Sequence, residues 1–114
     1  MSGCNVVILR GTLSRAPEIR VLPSGDALVN YEVTTHVDAG AISVPVCSVG
    51  ERVPLGLDAG DEVVVTGLVR RRFFRVGGVT QSRTEVVADV VVPARQSARA
   101  RRAVERAIEV AEPT

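Results

Sequence analysis

The most restrictive feature of this chain is a pattern repeated from residue 5 to residue 92: short β-branched runs, each ended by a turn signal. Asn5 to Leu13 is apolar and β-branched, and Ala16-Pro17 breaks it. Pro23-Ser24-Gly25-Asp26 is a strong turn, because proline presets φ and glycine supplies positive φ. Leu28 to Val37 alternates, with Val29, Tyr31 and Val33 on one side and Asn30, Glu32 and Thr34 on the other, as in a half-buried strand. Ala39-Gly40 is a tight turn, and Ile42 to Val49 is a third strand in which Pro45 marks an edge or bulge. Glu51 to Glu62 contains Pro54, Gly56 and Gly60, so at most one short helical turn fits there. Val63 to Phe74 is a fourth strand with a bulge or bend at Gly67. Gly77-Gly78 is a hairpin signal, and Val79 to Val92 is the fifth strand. Five evenly spaced strands predict an all-β fold, a small closed barrel or a sandwich. At 114 residues, 23 of them valine, the chain has room for one such core.

Beyond Pro93 the pattern changes. Residues 94–111 are rich in alanine and arginine and hold no glycine, which predicts a helix between Pro93 and Pro113. At 100° per residue, Ala100, Ala103, Val104, Ala107, Ile108 and Ala111 fall on one face, and Arg95, Arg99, Arg102 and Arg106 on the opposite face. Arg102 with Glu105 and Arg106 with Glu109 are spaced for side-chain pairing. The chain divides accordingly into a β domain, residues 1–93, and a helical segment, residues 94–114.

Little in the sequence suits catalysis, and no cofactor or metal is expected. The single histidine, His36, has no cysteine or acid at ligand-like spacing, and Gly56-Leu57-Asp58-Ala59-Gly60 lacks the Gly-Lys-Ser/Thr of a phosphate loop. Cys4 and Cys47 form no metal or redox motif; both are expected to be buried free thiols, with one disulfide as the alternative. Val6-Val7-Ile8-Leu9 is too short for a signal core or a membrane span, so a cytoplasmic, non-membrane protein is expected.

The sharpest functional signal is Arg70-Arg71-Arg72-Phe73-Phe74-Arg75. On a strand, Arg70, Arg72 and Phe74 share one face, and Arg71, Phe73 and Arg75 the other, with one of the two phenylalanines expected in the core. Two guanidinium groups beside a ring suit single-stranded nucleic acid: the cations neutralise phosphates and the ring stacks on a base. Net charge does not demand such a ligand. All 14 basic residues are arginine, against 13 acids. Residues 1–93 carry 9 arginines and 10 acids, and residues 94–114 carry 5 arginines and 3 acids. Any attractive field is therefore local: Arg70, Arg72, Arg75 and Arg83 on the hairpin, extended by Arg10, Arg15 and Arg20.

The order of these motifs resembles bacterial single-stranded DNA-binding proteins (the SSB family). Asn5-Val-Val-Ile-Leu-Arg-Gly11-Thr-Leu13 with Ala16-Pro17-Glu18-Ile-Arg20 resembles that family's first strand and turn. Pro23-Ser24-Gly25-Asp-Ala-Leu-Val29-Asn30-Tyr31 and Val46-Cys-Ser-Val49-Gly50 resemble its next two strands. Leu57-Asp-Ala-Gly60-Asp61-Glu-Val63-Val-Val65-Thr-Gly67-Leu68-Val-Arg70 and Thr84-Glu85-Val86-Val87-Ala88 resemble the last two. The resemblance covers about residues 4–92 and implies a five-stranded oligonucleotide-binding (OB) barrel, followed here by a C-terminal helix. It further implies assembly as a homodimer or homotetramer and a part in DNA replication, repair or recombination.

The departures from the family are specific. Its stacking rings would fall at Ser43, Val49, Phe74 and in a loop shortened here to Asp38-Ala39-Gly40-Ala41, and only Phe74 keeps a ring. The helix between the third and fourth strands is reduced to Glu51-Arg-Val-Pro54-Leu-Gly56. The acidic, partner-recruiting tail is replaced by the Arg/Ala segment, so recruitment by that route is not expected. The expected activity is sequence-independent binding of single-stranded DNA, with Arg70, Arg72 and Arg75 on phosphates and Phe74 on a base. Phe73 lies beside Phe74, and Arg10, Arg15 and Arg83 extend the track. Three absent stacking contacts, at roughly 1–3 kcal/mol each, predict weaker and more salt-sensitive binding than is usual for the family. The competing expectation is an OB-fold assembly module, or an accessory protein like primosomal replication protein N, with weak or no nucleic-acid binding.

Overall fold

A computed structural model of the chain describes residues 3–50 and 56–113. It is mostly β-sheet with one C-terminal helix. The strands are β1 (Val7–Leu13), β2 (Glu18–Val21), β3 (Ala27–Val37), β4 (Gly40–Gly50), β5 (Glu62–Val76) and β6 (Val79–Pro93), followed by α1 (Ser97–Ala111). Five of them coincide with the expected strands. The sixth, β2, was not foreseen: Pro17 ends β1's run, yet Glu18–Val21 still pairs antiparallel with β3 at Ile19 opposite Val29. The segment expected to be turn-rich begins within residues 51–55, and that part, with the shortened helix of the family comparison, lies outside the described residues.

The sheet runs β1-β5-β6-β4-β3-β2, and β1 also pairs with β3 at Thr12–Thr34 and Leu13–Val33. That second pairing closes β1, β5, β6, β4 and β3 into a ring. All contacts in it are antiparallel except β4–β6, which meet in parallel at Val46–Val86 and Cys47–Val87. Period-two alternation fills the interior: Val29, Tyr31 and Val33 from β3 meet Leu13, Val46, Val63, Val65 and Val86. Tyr31 is core, as its parity predicts, but among the described residues its buried hydroxyl has no hydrogen-bond partner of regular geometry. Burial pushes that hydroxyl's pKa up, and the nearby Ser48 side chain offsets part of the rise.

Closure of the ring needs backbones to approach where a side chain would intrude. A Cβ on Gly11 would overlap the Thr34 carbonyl, and one on Gly67 would overlap the Val87 carbonyl. Gly67 marks the expected bulge: Thr66 pairs with Val90 and Gly67 with Ala88, leaving Asp89 as the extra residue. Beyond it β5 and β6 continue as a two-stranded arm. The arm ends at Gly77 and Gly78, whose φ values of 57° and 81° supply the left-handed pair of a two-residue hairpin turn.

The helix packs outside the ring. Ala100 joins Val64 and Val92, with Val90, Ala94 and Val104 against them. The buried face is narrower than expected: Ala100, Ala103 and Ala107 are buried, whereas Ile108 and Ala111 are exposed. Each alanine methyl contributes only about 0.8 kcal/mol, so docking rests on close approach rather than bulk. Arg95 precedes the helix in a turn, while Arg99, Arg101, Arg102 and Arg106 are exposed along it. Neither expected helical ion pair forms within 4 Å among the described residues; Arg99 instead donates to Gln96 Oε1 at 3.0 Å. No described helix is long and apolar enough to cross a membrane.

Candidate nucleic-acid interface

The β5–β6 register decides which side chains meet. Arg70 lies opposite Glu85, Arg72 opposite Arg83 and Phe74 opposite Gln81, so one face of the arm carries all six. The other face carries Arg71, Phe73 and Arg75 opposite Thr84, Ser82 and Thr80. The parity expected from the sequence holds, but neither phenylalanine is core: Phe73 is 62% exposed and Phe74 half-buried. The arm runs past the ring, so past Val69 neither of its faces has a core to cover. Each ring instead carries a guanidinium from its own face. Arg71 lies 5.0 Å from the centroid of Phe73, and Arg72 lies 5.2 Å from that of Phe74.

At the base of the arm, three arginines converge on one buried carboxylate, that of Glu85, which is 5% exposed. Arg70 donates to Glu85 Oε2 twice, from Nη2 at 2.8 Å and from Nε at 3.1 Å. Arg72 Nε lies 3.4 Å from the same oxygen, and Arg83 Nε lies 3.6 Å from Oε1. Burial alone would raise the pKa of Glu85, but the bonds and charges of Arg70 and Arg72 outweigh it and hold the carboxyl below its ordinary value. The Glu85 bond in turn raises the pKa of Arg70. Three guanidinium groups and one carboxylate leave a net +2 on this face, exposed to solvent through the arginines.

Cys47 closes the cluster from β4. Its thiol donates to Glu85 Oε2 at 3.6 Å, and Arg70 Nη2 lies 3.8 Å from its sulfur. Burial, then the Glu85 charge, push the Cys47 thiol up, so it stays protonated and poorly nucleophilic. Both cysteines are free, but Cys4 is exposed rather than buried. The reason is where the ring begins: β1 starts only at Val7. Asn5 substitutes a side chain for strand pairing, accepting from Val69 N at 2.9 Å and donating to Val69 O at 2.6 Å. Cys4 lies beyond that clasp.

The remaining candidates lie elsewhere. Arg75 sits on the opposite face and donates to the Gly78 carbonyl at 2.8 Å, which ties it to the turn. Arg15 pairs with Glu32 at 3.7 Å, and Arg10 is exposed on β1 opposite Val64. Neither joins the Glu85 cluster. A cavity of about 420 Å³ between α1 and the bulge is lined chiefly by Leu68, Val87, Val90, Ala107 and Val110. Asp89 and Arg106 are its charged members, and Thr66 contributes a hydroxyl-bearing side chain. Among the described residues no group of three or more histidines, cysteines or acids is placed to hold a metal, and His36 is exposed near the end of β3.

Glu85 is the member of the arginine cluster that the sequence motifs missed. Its position was nonetheless accessible. Two glycines flanked by valines specify a two-residue turn with Val76 opposite Val79, and six further pairs along the arm bring Arg70 opposite Glu85. No family model matches the chain.

Proposed function

We propose that this chain is an OB-fold protein of SSB type that binds single-stranded DNA without reading its sequence, in support of replication, repair or recombination. The observation that carries this reading is the shared face of Arg70, Arg72, Arg83 and Phe74, with its net +2 and its ring. Clustered cations beside a ring are what a flexible polyanion with stackable bases requires. The OB reading is supported by the closed cycle of five strands with its single parallel contact. In OB folds, the face of the second and third strands and the loops after the first and fourth take oligonucleotides; on this reading the β5–β6 arm corresponds to the connection after the fourth strand. Free cysteines accord with a reducing, cytoplasmic setting.

The test is fluorescence anisotropy of a labelled oligo(dT) of about 20 nucleotides, repeated over a sodium chloride series. Binding at low salt that falls steeply towards about 200 mM is expected; absence of binding at low salt refutes the reading. Self-association, as a homodimer or homotetramer, is proposed alongside it. Ile19 and Val21 on β2 are 54% and 72% exposed, and among the described residues β2 pairs only with β3, with no strand on its other edge. If oligo(dT) binding fails while light scattering reports a defined oligomer, the assembly-module reading takes its place.

A further inference from the structure

Resting on the single-stranded nucleic-acid reading, we propose that Glu85 is an internal counter-ion that withholds Arg70 from the ligand. The cluster then offers backbone phosphates two arginines, Arg72 and Arg83, instead of the three the sequence displays.

The three arginines are not equivalent. Arg70 directs two N–H groups at one oxygen of Glu85, and its Nη2 also faces the Cys47 sulfur, so its Nε–Nη2 edge is occupied. Arg72 and Arg83 approach the carboxylate only through Nε, at 3.4 and 3.6 Å. Among the described residues their terminal nitrogens make no hydrogen bond; exposure does not separate the three side chains, at 46%, 45% and 49% for Arg70, Arg72 and Arg83. A guanidinium with its terminal fork free is the form that grips a phosphate in a bidentate way.

The register explains why a carboxylate sits here at all. Arg72 and Arg83 are directly opposite on neighbouring strands, where like charges repel. Glu85 lies two residues along β6 from Arg83, on the same face, and touches both, so it permits them to stand side by side. The same carboxylate is buried and cannot turn away. A phosphate that takes the Glu85-facing edge of Arg70 must displace two bonds already formed to a buried carboxylate. Glu85 therefore builds the site and limits it.

The experiment is a salt titration of oligo(dT) binding on the full chain and a set of variants, with inorganic polyphosphate as a second probe that has charge but no bases. For single strands, each phosphate neutralised contributes about −0.7 to the slope of log K against log salt. Glu85→Gln keeps an acceptor for Arg70 and removes the charge; it is expected to tighten binding and steepen the slope by about 0.7. Arg70→Gln is expected to leave the slope unchanged in the native background and to cancel the gain in the Glu85→Gln background. Arg72→Gln and Arg83→Gln are each expected to flatten it by about 0.7 in both backgrounds. An unchanged slope in Glu85→Gln, or an Arg70→Gln loss equal to that of Arg72→Gln, overturns the proposal while leaving DNA binding intact. If oligo(dT) fails to bind but polyphosphate binds, the DNA reading fails and the polyphosphate slopes decide the counter-ion role. If neither the native chain nor Glu85→Gln binds either probe at low salt, both fall. A measurement on the native chain guards against a variant that does not fold. In spectra of the arginine Nε–Hε groups, the Arg72 and Arg83 signals are expected to move on titration with polyphosphate while Arg70 stays. Movement of Arg70 together with them overturns the proposal.

Discussion

Replacing Phe74 by alanine tests the proposed interface most directly. The Phe74 ring shares its face with Arg70, Arg72 and Arg83, and Arg72 covers it at 5.2 Å from the centroid. That guanidinium lies over one side of the ring, and the expected place for a base is the other. A stacked base is worth about 1–3 kcal/mol by alanine substitution. At about 1.4 kcal/mol per tenfold, Phe74→Ala should weaken oligo(dT) binding roughly 5- to 150-fold. The salt slope should not change, because no phosphate contact is lost. Phe73 is more exposed, at 62%, but stands on the opposite face with Arg71 and away from the Glu85 cluster. Phe73→Ala should therefore cost clearly less. The assay is anisotropy at several salt concentrations on both variants, with circular dichroism to confirm that each is folded. Equal losses, or a larger loss for Phe73→Ala, would show that the binding face has been assigned to the wrong side of the arm. A flattened slope in Phe74→Ala would show that the ring orders Arg72 rather than stacking a base.

Three further outcomes are expected. Gly67→Ala places a Cβ on the Val87 carbonyl and should lower stability in urea by about 1–3 kcal/mol, within the range for overpacking; an unchanged midpoint would mean the bulge relaxes freely. Tyr31→Phe removes a buried hydroxyl that lacks a regular partner, so its thermal midpoint should stay level or rise, and a clear fall would show that the contact with Ser48 is a real bond. Glu85 has a folded pKa below its unfolded value, so its contribution is present above the ordinary carboxylate range and is lost as pH falls through the folded value. Glu85→Gln should accordingly flatten the acid limb of stability measured by urea unfolding between about pH 7 and pH 3, whereas parallel curves would deny Glu85 that role.

Much of the fold was legible in the chain because local rules governed it. The alternation of Val29, Tyr31 and Val33, the Gly77-Gly78 turn, the bulge at Gly67 and the helix after Pro93 each follow from the conformational limits of a few adjacent residues. The face shared by Arg70, Arg72 and Phe74 was legible for the same reason, since side chains on a strand alternate whatever lies around them. Strand β2 escaped because Glu18–Val21 has no buried position of its own; it is a strand only because β3 offers it a partner. The exposure of Cys4 and of Phe73 escaped because each depends on where the packed ring ends, which no local pattern marks.

The sequence by itself determined five of the six strands, the helix and which side chains share a strand face, since these are set by backbone sterics over distances of a few residues. Only the tertiary structure decided what those faces mean. Ring closure brought Cys47 from β4 beneath the arm, and strand register set one carboxylate among three arginines. Charge acts through space, so four ionised groups that look like a basic stretch and a distant acid along the chain become a single cluster. Within it, one arginine is bonded twice to the carboxylate, and two keep their terminal nitrogens free of hydrogen bonds among the described residues.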